Sequence, residues 1–359
     1  MSGVHMRAGV EAVPEVLAEA GERPEDARTA AAVLAGASAV DLVGCGSSLF
    51  AAAVLGYAFD AAGLRSRVTE AYEYAGYPPP AGPADALIAI SHTGRTPDVV
   101  AAARAAAAAG RPVIAITDDG ASPLAAAAGY ALVDERGMES ALPKTRSYVS
   151  TLVRGLRLAR ELAALRGAAA PGLDALAEPA GHVGALLAAA WPQAADLADR
   201  WADAPRYVVV GAGPEHATAL EGALKITEAA SVYAVGWQIE EAAHGTWVST
   251  RAGELAIVLA VGERDRDAVR RTLAGLRAIG AATWVIGDDE EALAAADAAT
   301  RLPALPAPVM PLLTALPLYC FAHQLALGRG LDPDVMRQDE PRYREARTVM
   351  RRSISTAAN

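Results

Sequence analysis

Short runs of β-branched and apolar residues recur along this 359-residue chain, each followed by a Gly/Ser/Thr turn and then an alanine-rich stretch of helical period. That alternation marks βαβ units and a parallel sheet. The pattern predicts strands over 39–43 and 86–90, loops over 44–48 and 91–96, and helices over 49–62 and 97–109, with Pro97 suited to a first helical turn. Strands over 113–116 and 130–133 complete a small sheet, and 145–165 has a long helical period. The stretch 168–181, with Pro171, Gly172, Pro179 and Gly181, reads as a linker. After a helix over 183–201 come strand 207–210, a glycine loop 211–213, a helix through Glu228, strand 255–260, helix 265–279 and strand 283–286. The second half therefore repeats the order of the first. The expected architecture is α/β with two tandem domains: a helical segment 1–27, a first domain 28–167, a linker and helix 168–195, a second domain 196–330 and a tail 331–359.

Composition narrows the function classes. The chain is 53% hydrophobic, and its 42 acidic against 32 basic residues give a net charge of -10. No basic stripe is interleaved with aromatics, so nucleic acid is not an expected partner. Cys45 and Cys320 are far apart and show no CxxC or Cys/His spacing, which argues against a disulfide framework, a zinc site or any other metal, and fits a reducing cytoplasm. The first twenty residues lack the basic start and apolar core of a signal peptide, and the other apolar stretches are broken short of a membrane span. No cofactor is called for.

Ligands of open parallel sheets bind beyond the carboxyl ends of the strands. Two loops fall there in the first half. Gly44-Cys45-Gly46-Ser47-Ser48 brings small residues, two hydroxyls and a helix N-terminus, and Ser91-His92-Thr93-Gly94-Arg95-Thr96 brings three more hydroxyls and a cation. Together they suit a phosphate. Each loop alone reads equally well as Ser/Thr capping of the following helix. The corresponding loops of the second half, 211–215 and 261–265, are poor in hydroxyls and hold carboxylates, so only the first half is expected to hold phosphate.

These paired loops resemble the sugar-phosphate loops of SIS (sugar isomerase) domains. Downstream, Ala219-Leu220-Glu221-Gly222-Ala223-Leu224-Lys225-Ile226-Thr227-Glu228 and Glu241-Ala242-Ala243-His244-Gly245 resemble the isomerase half of glucosamine-6-phosphate synthases, and the spacing from Glu228 to His244 agrees. The likeness runs from about Met6 to Arg342. It implies two tandem SIS domains of Rossmann-like, three-layer form. It also implies a sugar-phosphate site: Cys45, Gly46, Ser47, Ser48, Ser91, His92, Thr93 and Thr96 around the phosphate, and the 142–146 turn, with Leu142, Lys144 and Thr145, closing over the sugar. Glu228 becomes the proton shuttle between C1 and C2, and His244 the ring-opening group contributed by the partner of a homodimer with a shared site. Those roles suit the side chains, since enolisation needs a carboxylate base beside an acidic C–H and histidine moves protons near neutral pH. Taken singly, a glutamate in an alanine-rich helix is usually solvated and a histidine before glycine is often a helix cap. Glu139, Glu221 and Glu241 are supporting carboxylates, equally able to satisfy backbone groups or to pair with Arg146 and Lys225. His216 could touch a ligand or cap its helix, and His182 and His323 are expected to pack.

The chain departs from the synthase pattern in several places. No glutamine-hydrolysing domain is expected, the tail has arginines where the synthase has a lysine, Arg95 stands at an acidic position, and Thr246 follows Gly245 where the synthase has proline. The resemblance implies a phosphosugar isomerase or deaminase acting at C1 and C2 of an amino-sugar phosphate. A fructosamine-6-phosphate deglycase uses the same proton transfer, and SIS modules also serve as non-catalytic sugar-phosphate sensors.

Overall fold

A computed structural model describes residues 2–22, 24–82 and 85–351; the end of the tail, 352–359, lies outside them. Two parallel five-stranded sheets organise the chain. The first contains β1 (Ala39–Gly44), β2 (Arg65–Glu70), β3 (Ala86–Ile90), β4 (Val113–Thr117) and β5 (Tyr130–Val133), in the order β2-β1-β3-β4-β5. The second contains β6 (Arg206–Gly211), β7 (Tyr233–Gln238), β8 (Leu255–Ala260), β9 (Ala282–Gly287) and β10 (Ala298–Arg301), in the order β10-β9-β8-β6-β7. Read from the other edge, the second order is that of the first. The internal repeat expected from the sequence is present strand for strand.

The central strands are the apolar runs. β3, β4 and β8 are buried along their whole length, as strands covered by helices on both faces must be. The edge strands β2, β7 and β10 were not legible in the apolar pattern. β2 reads Arg-Ser-Arg-Val-Thr-Glu, and none of its residues is fully buried. An edge strand has one hydrogen-bonding side unpaired and needs no continuous hydrophobic run.

Helix positions agree with the 3.6-residue period to within a few residues: Ser47–Ala61, Pro97–Ala108, Arg146–Arg166, Val183–Trp201 and Arg266–Ile279. The stretch read as a linker is not extended throughout. It contains 3-10 turns over Leu173–Gly181, with Leu173 and Leu176 buried.

Two compact units result. One holds the first sheet, the helix Arg146–Arg166 and the residues from Gln338 onward; the other holds the second sheet together with the residues through Glu15 and the short segment Ser140–Thr145. In the second unit the chain's beginning is tied to the start of the tail. Asp334 accepts from the N–H groups of His5 (3.0 Å) and Met6 (2.7 Å), Asp332 accepts from Gly3 N–H (3.1 Å), and a ring nitrogen of His323 lies 2.9 Å from the Gly3 carbonyl. His323 packs edge-on against Trp191, as its helical context suggested.

The turn from β6 into the helix Pro214–Ala230 leaves no space for a side chain. A Cβ on Gly211 would stand 2.2 Å from the carbonyl oxygen of Glu215. Gly275, exposed in the middle of the helix Arg266–Ile279, has nothing within 4 Å of its Cβ position. Gly211→Ala should therefore cost about 2 kcal/mol or more, whereas Gly275→Ala should add roughly 0.5–1 kcal/mol. Urea denaturation of the two variants beside the parent chain checks both signs.

Candidate active site

The phosphate-loop residues gather at the carboxyl ends of β1 and β3, neighbouring strands at which the order of the first sheet reverses. This is where open α/β sheets take their ligands. After Gly44 the chain turns sharply: Gly46 has φ 56°, a left-handed conformation that favours glycine, and the helix Ser47–Ala61 begins immediately. A Cβ on Gly44 would come within 2.7 Å of the Ser48 backbone. Ser47 and Ser48 are consequently held, largely buried, in the first helical turn. The Cys45 thiol points elsewhere, donating to Glu70 Oε1 at 2.9 Å, and burial together with that carboxylate pushes its pKa up to about 12. It is a neutral packing group, and its contribution to an anion would be through the backbone.

In the second loop, Ser91 Oγ and Thr96 Oγ1 are 2.9 Å apart, and the loop is pinned beneath by Asp118 N–H and Thr117 Oγ1, both donating to the His92 carbonyl at 2.9 and 3.2 Å. Ser91 and His92 are buried; Thr93 and Thr96 are half-buried. Thr93 Oγ1 accepts from Arg95 N–H at 3.3 Å. The Arg95 side chain, counted from the sequence as the loop's cation, is exposed and paired with Asp119 at 2.8 Å. Hydroxyls and backbone N–H groups are therefore what these loops present.

In the unit of the second sheet, the helix Pro214–Ala230 carries Glu221, Lys225 and Glu228 on one face by their i, i+4 and i, i+3 spacing. Lys225 is almost fully buried, its Nζ donates to Glu228 Oε2, and it lies 3.7 Å from Glu221 Oε1. The buried Glu221 also accepts from Tyr319 OH at 3.1 Å. Glu228 keeps part of its carboxylate accessible, with its side chain 18% exposed. The sequence offered Lys225 as a partner for the supporting carboxylates; its bond to Glu228 was not anticipated, and the i, i+3 spacing was the available signal.

His244 closes the short helix Ile239–Ala243 and is exposed. Its Nδ1 lies 2.8 Å from the Glu240 carbonyl, which makes Nδ1 the protonated nitrogen of the neutral ring and leaves Nε2 as an acceptor. Glu241 is exposed on the same helix. Among the described residues no hydrogen bond joins Glu228 to His244. The Ser140–Thr145 segment is anchored by Leu142 N–H donating to the Asp334 carbonyl (2.9 Å) and by Lys144 Nζ donating to the Ala141 carbonyl (2.6 Å), and Thr145 is fully buried. Glu139 Oε2 accepts from Ser147 N–H at 3.0 Å at the start of the long helix. Trp237 is buried and Trp247 is half exposed. Among the described residues no three His, Cys, Asp or Glu side chains come together as metal ligands would.

The family model for the SIS domain matches residues 33–159, a span that takes in β1 to β5 and both loops. This stretch is a SIS domain. Over 322 residues the chain is 29% identical to glutamine–fructose-6-phosphate aminotransferase (isomerizing) of Corynebacterium glutamicum, an alignment covering 86% of this chain and 52% of that enzyme. The chain spans about half the length of the relatives it matches. The C-terminal domain of glucosamine-fructose-6-phosphate aminotransferase from Francisella tularensis superposes with a TM-score of 0.84 at 20% identity, covering 92% of this chain and 97% of that one. Glucosamine-6-phosphate deaminase from Thermotoga maritima does so with a TM-score of 0.75 at 22% identity, covering 92% and 96%. At those identities the structural likeness establishes the fold, and it extends over both sheets, so the second sheet repeats the SIS architecture.

The two sheets differ at the equivalent turn. Where the SIS domain has Ser47 and Ser48, the second sheet has Pro214 and Glu215, and Glu215 is buried with Thr314 Oγ1 donating to its Oε1 at 3.3 Å. Burial without a cation raises its pKa to about 8. In the folded protein it therefore lies above the ordinary glutamate value of 4.5, and the folded protein holds a proton that the unfolded chain releases. Stability should fall as pH rises between those values, by up to about 1.4 kcal/mol per pH unit. Glu215→Gln should remove that slope, so the variant's gain in Tm over the parent should be larger at pH 8 than at pH 5 in thermal melts.

Proposed function

We propose that this chain is a phosphosugar isomerase/deaminase acting at C1 and C2 of an amino-sugar phosphate. The observation that carries the reading is the carboxylate of Glu228, partly accessible and oriented by the buried ammonium of Lys225. A module that only binds sugar phosphate has no use for a carboxylate fixed in this way; a proton shuttle does. The hydroxyl-bearing loops of the SIS domain support a phosphate ligand, and the names borne by the relatives support a hexose phosphate.

In this reading Ser47, Ser48, Ser91, His92, Thr93 and Thr96 hold the phosphate, with Cys45 and Gly46 contributing backbone, and Leu142, Lys144 and Thr145 cover the sugar. The domains are 28–167 and 196–330. His244, with Nε2 as acceptor, takes a proton during ring opening and is contributed to the partner of a homodimer. In the open-chain amino sugar, Glu228 removes the C2 proton and returns it to C1, which turns the C1 aldehyde into an alcohol and the C2 amine into an imine. Water adds to C2, ammonia leaves, and a ketose phosphate remains. Lys225, whose Nζ donates to Glu228 Oε2, keeps that carboxylate aimed. Glu139, Glu221 and Glu241 position these groups without touching the reacting carbons.

A coupled assay with glucosamine 6-phosphate and, separately, a fructosamine 6-phosphate tests the reading. Ammonia with fructose 6-phosphate is the expected product pair; free amine with glucose 6-phosphate would assign a deglycase; tight binding without turnover would replace the enzyme with a sensor. Glu228→Gln should lower kcat on the order of 10³-fold with little change in sugar-phosphate binding. Ser91→Ala should instead weaken sugar-phosphate binding by about tenfold or more while leaving kcat nearly intact.

A further inference from the structure

Two helices of the second-sheet unit lie close enough for their side chains to meet in the interior. A Cβ on Gly222, in the helix Pro214–Ala230, would overlap the Leu318 side chain of the helix Pro311–Gly328. The helix Pro311–Gly328 is buried and apolar over most of its length. Thr314 and Tyr319 are polar exceptions, and each meets a carboxyl group of the neighbouring helix. Thr314 Oγ1 donates to Glu215 Oε1 at 3.3 Å, and Tyr319 OH donates to Glu221 Oε1 at 3.1 Å.

Glu221 and Glu228 both lie within reach of one ammonium group, that of Lys225, whose side chain is 1% exposed. The ammonium is not shared evenly. Nζ donates to Glu228 Oε2 but stands 3.7 Å from Glu221 Oε1, an ion-pair distance too long for a hydrogen bond. Charge attraction alone favours the opposite arrangement, because it strengthens as water is excluded and Glu221 is the more deeply buried carboxylate. The Glu221 oxygen that faces Lys225 is the one that accepts from Tyr319 OH. A hydroxyl donor at that oxygen supplies a bond that the ammonium would otherwise make, and leaves Nζ directed at Glu228.

We propose that Tyr319 is a positioning residue that keeps Lys225 on Glu228 by donating to Glu221 Oε1. Its kinetic consequence rests on the reaction proposed above, in which Lys225 aims the Glu228 proton shuttle. The hydroxyl touches neither substrate nor Glu228; it acts through Glu221 and Lys225. With the hydroxyl gone, two carboxylates compete for one ammonium, Nζ is drawn toward Glu221, and Glu228 loses its orientation.

Tyr319→Phe removes the phenol oxygen and keeps the ring that packs between the helices. Crystal structures of the parent chain and this variant at the same pH should show Lys225 Nζ moving into hydrogen-bonding distance of Glu221 and away from Glu228. With a sugar phosphate that the parent turns over, kcat should fall roughly tenfold, the scale of a hydrogen bond to a charged group, while KM stays nearly unchanged. Thr314→Val removes the other hydroxyl contact between the same two helices and should leave kcat as it is, which separates positioning from a general loosening of the helix pair. In a Glu221→Gln background, where the neutral amide no longer competes for the ammonium, Tyr319→Phe should have little further effect. The proposal is overturned if Lys225 stays on Glu228 in the Tyr319→Phe structure, if Thr314→Val lowers kcat as much, or if the loss from Tyr319→Phe is as large in the Glu221→Gln background. Should the parent turn over no sugar phosphate, the proposed reaction fails, and the position of Lys225 in the two structures still decides the role of Tyr319.

Discussion

Both halves of this molecule depend on one steric constraint, the turn in which a parallel strand passes into the helix that covers it. At Gly44 and Gly211 the backbone of the first helical turn lies against the glycine Cα, so close that a Cβ would overlap backbone atoms 2.7 and 2.2 Å away. Two residues on, Gly46 and Gly213 have nearly the same left-handed φ, 56° and 54°. This geometry brings the helix N-terminus, with its unpaired N–H groups, to the carboxyl edge of the sheet. The first residues of the helix then decide what each turn presents to a ligand.

Those residues differ between the repeats, and the difference divides the labour. The first turn leads into Ser47 and Ser48, small side chains whose hydroxyls leave room for an anion. The second leads into Pro214 and Glu215, and the Glu215 carboxyl is folded inward onto Thr314. A buried carboxyl with no cation beside it keeps its proton near neutral pH, so this turn is closed by a neutral internal group. The same helix, two turns later, reverses the balance: Glu221 and Glu228 share the buried ammonium of Lys225. One helix thus holds a carboxyl kept neutral by isolation and two others held by a buried cation.

Buried charge recurs in the SIS-domain unit, where the long helix places Arg154 against Asp118, Arg157 against the Ala20 carbonyl and Arg160 against the Glu22 carbonyl. Hydrophobic side chains would fill that face at lower energetic cost. Arg154 and Arg160 recover part of the cost through acceptors at 2.7–3.1 Å, whereas the Arg157 Nε has only the Ala20 carbonyl at 3.4 Å.

The apolar runs that became β1, β3, β4, β6, β8 and β9, the periods of the helices around them, and the repeat itself could be read directly from the residues, because central strands and their covering helices must be hydrophobic wherever the fold is viable. The two hydroxyl-rich loops could be placed at strand ends for the same reason, although Ser and Thr there serve equally well as helix caps. The edge strands β2, β7 and β10 were not, because a half-exposed strand tolerates polar residues. Nor did the sequence reveal that Cys45 faces Glu70, that Arg95 is paired with Asp119, or that Lys225 rather than a solvated surface holds Glu228. Those outcomes depend on which side chains meet across the fold, and the burial that makes a lone Arg157 or Glu215 costly exists only once the chain has closed around it.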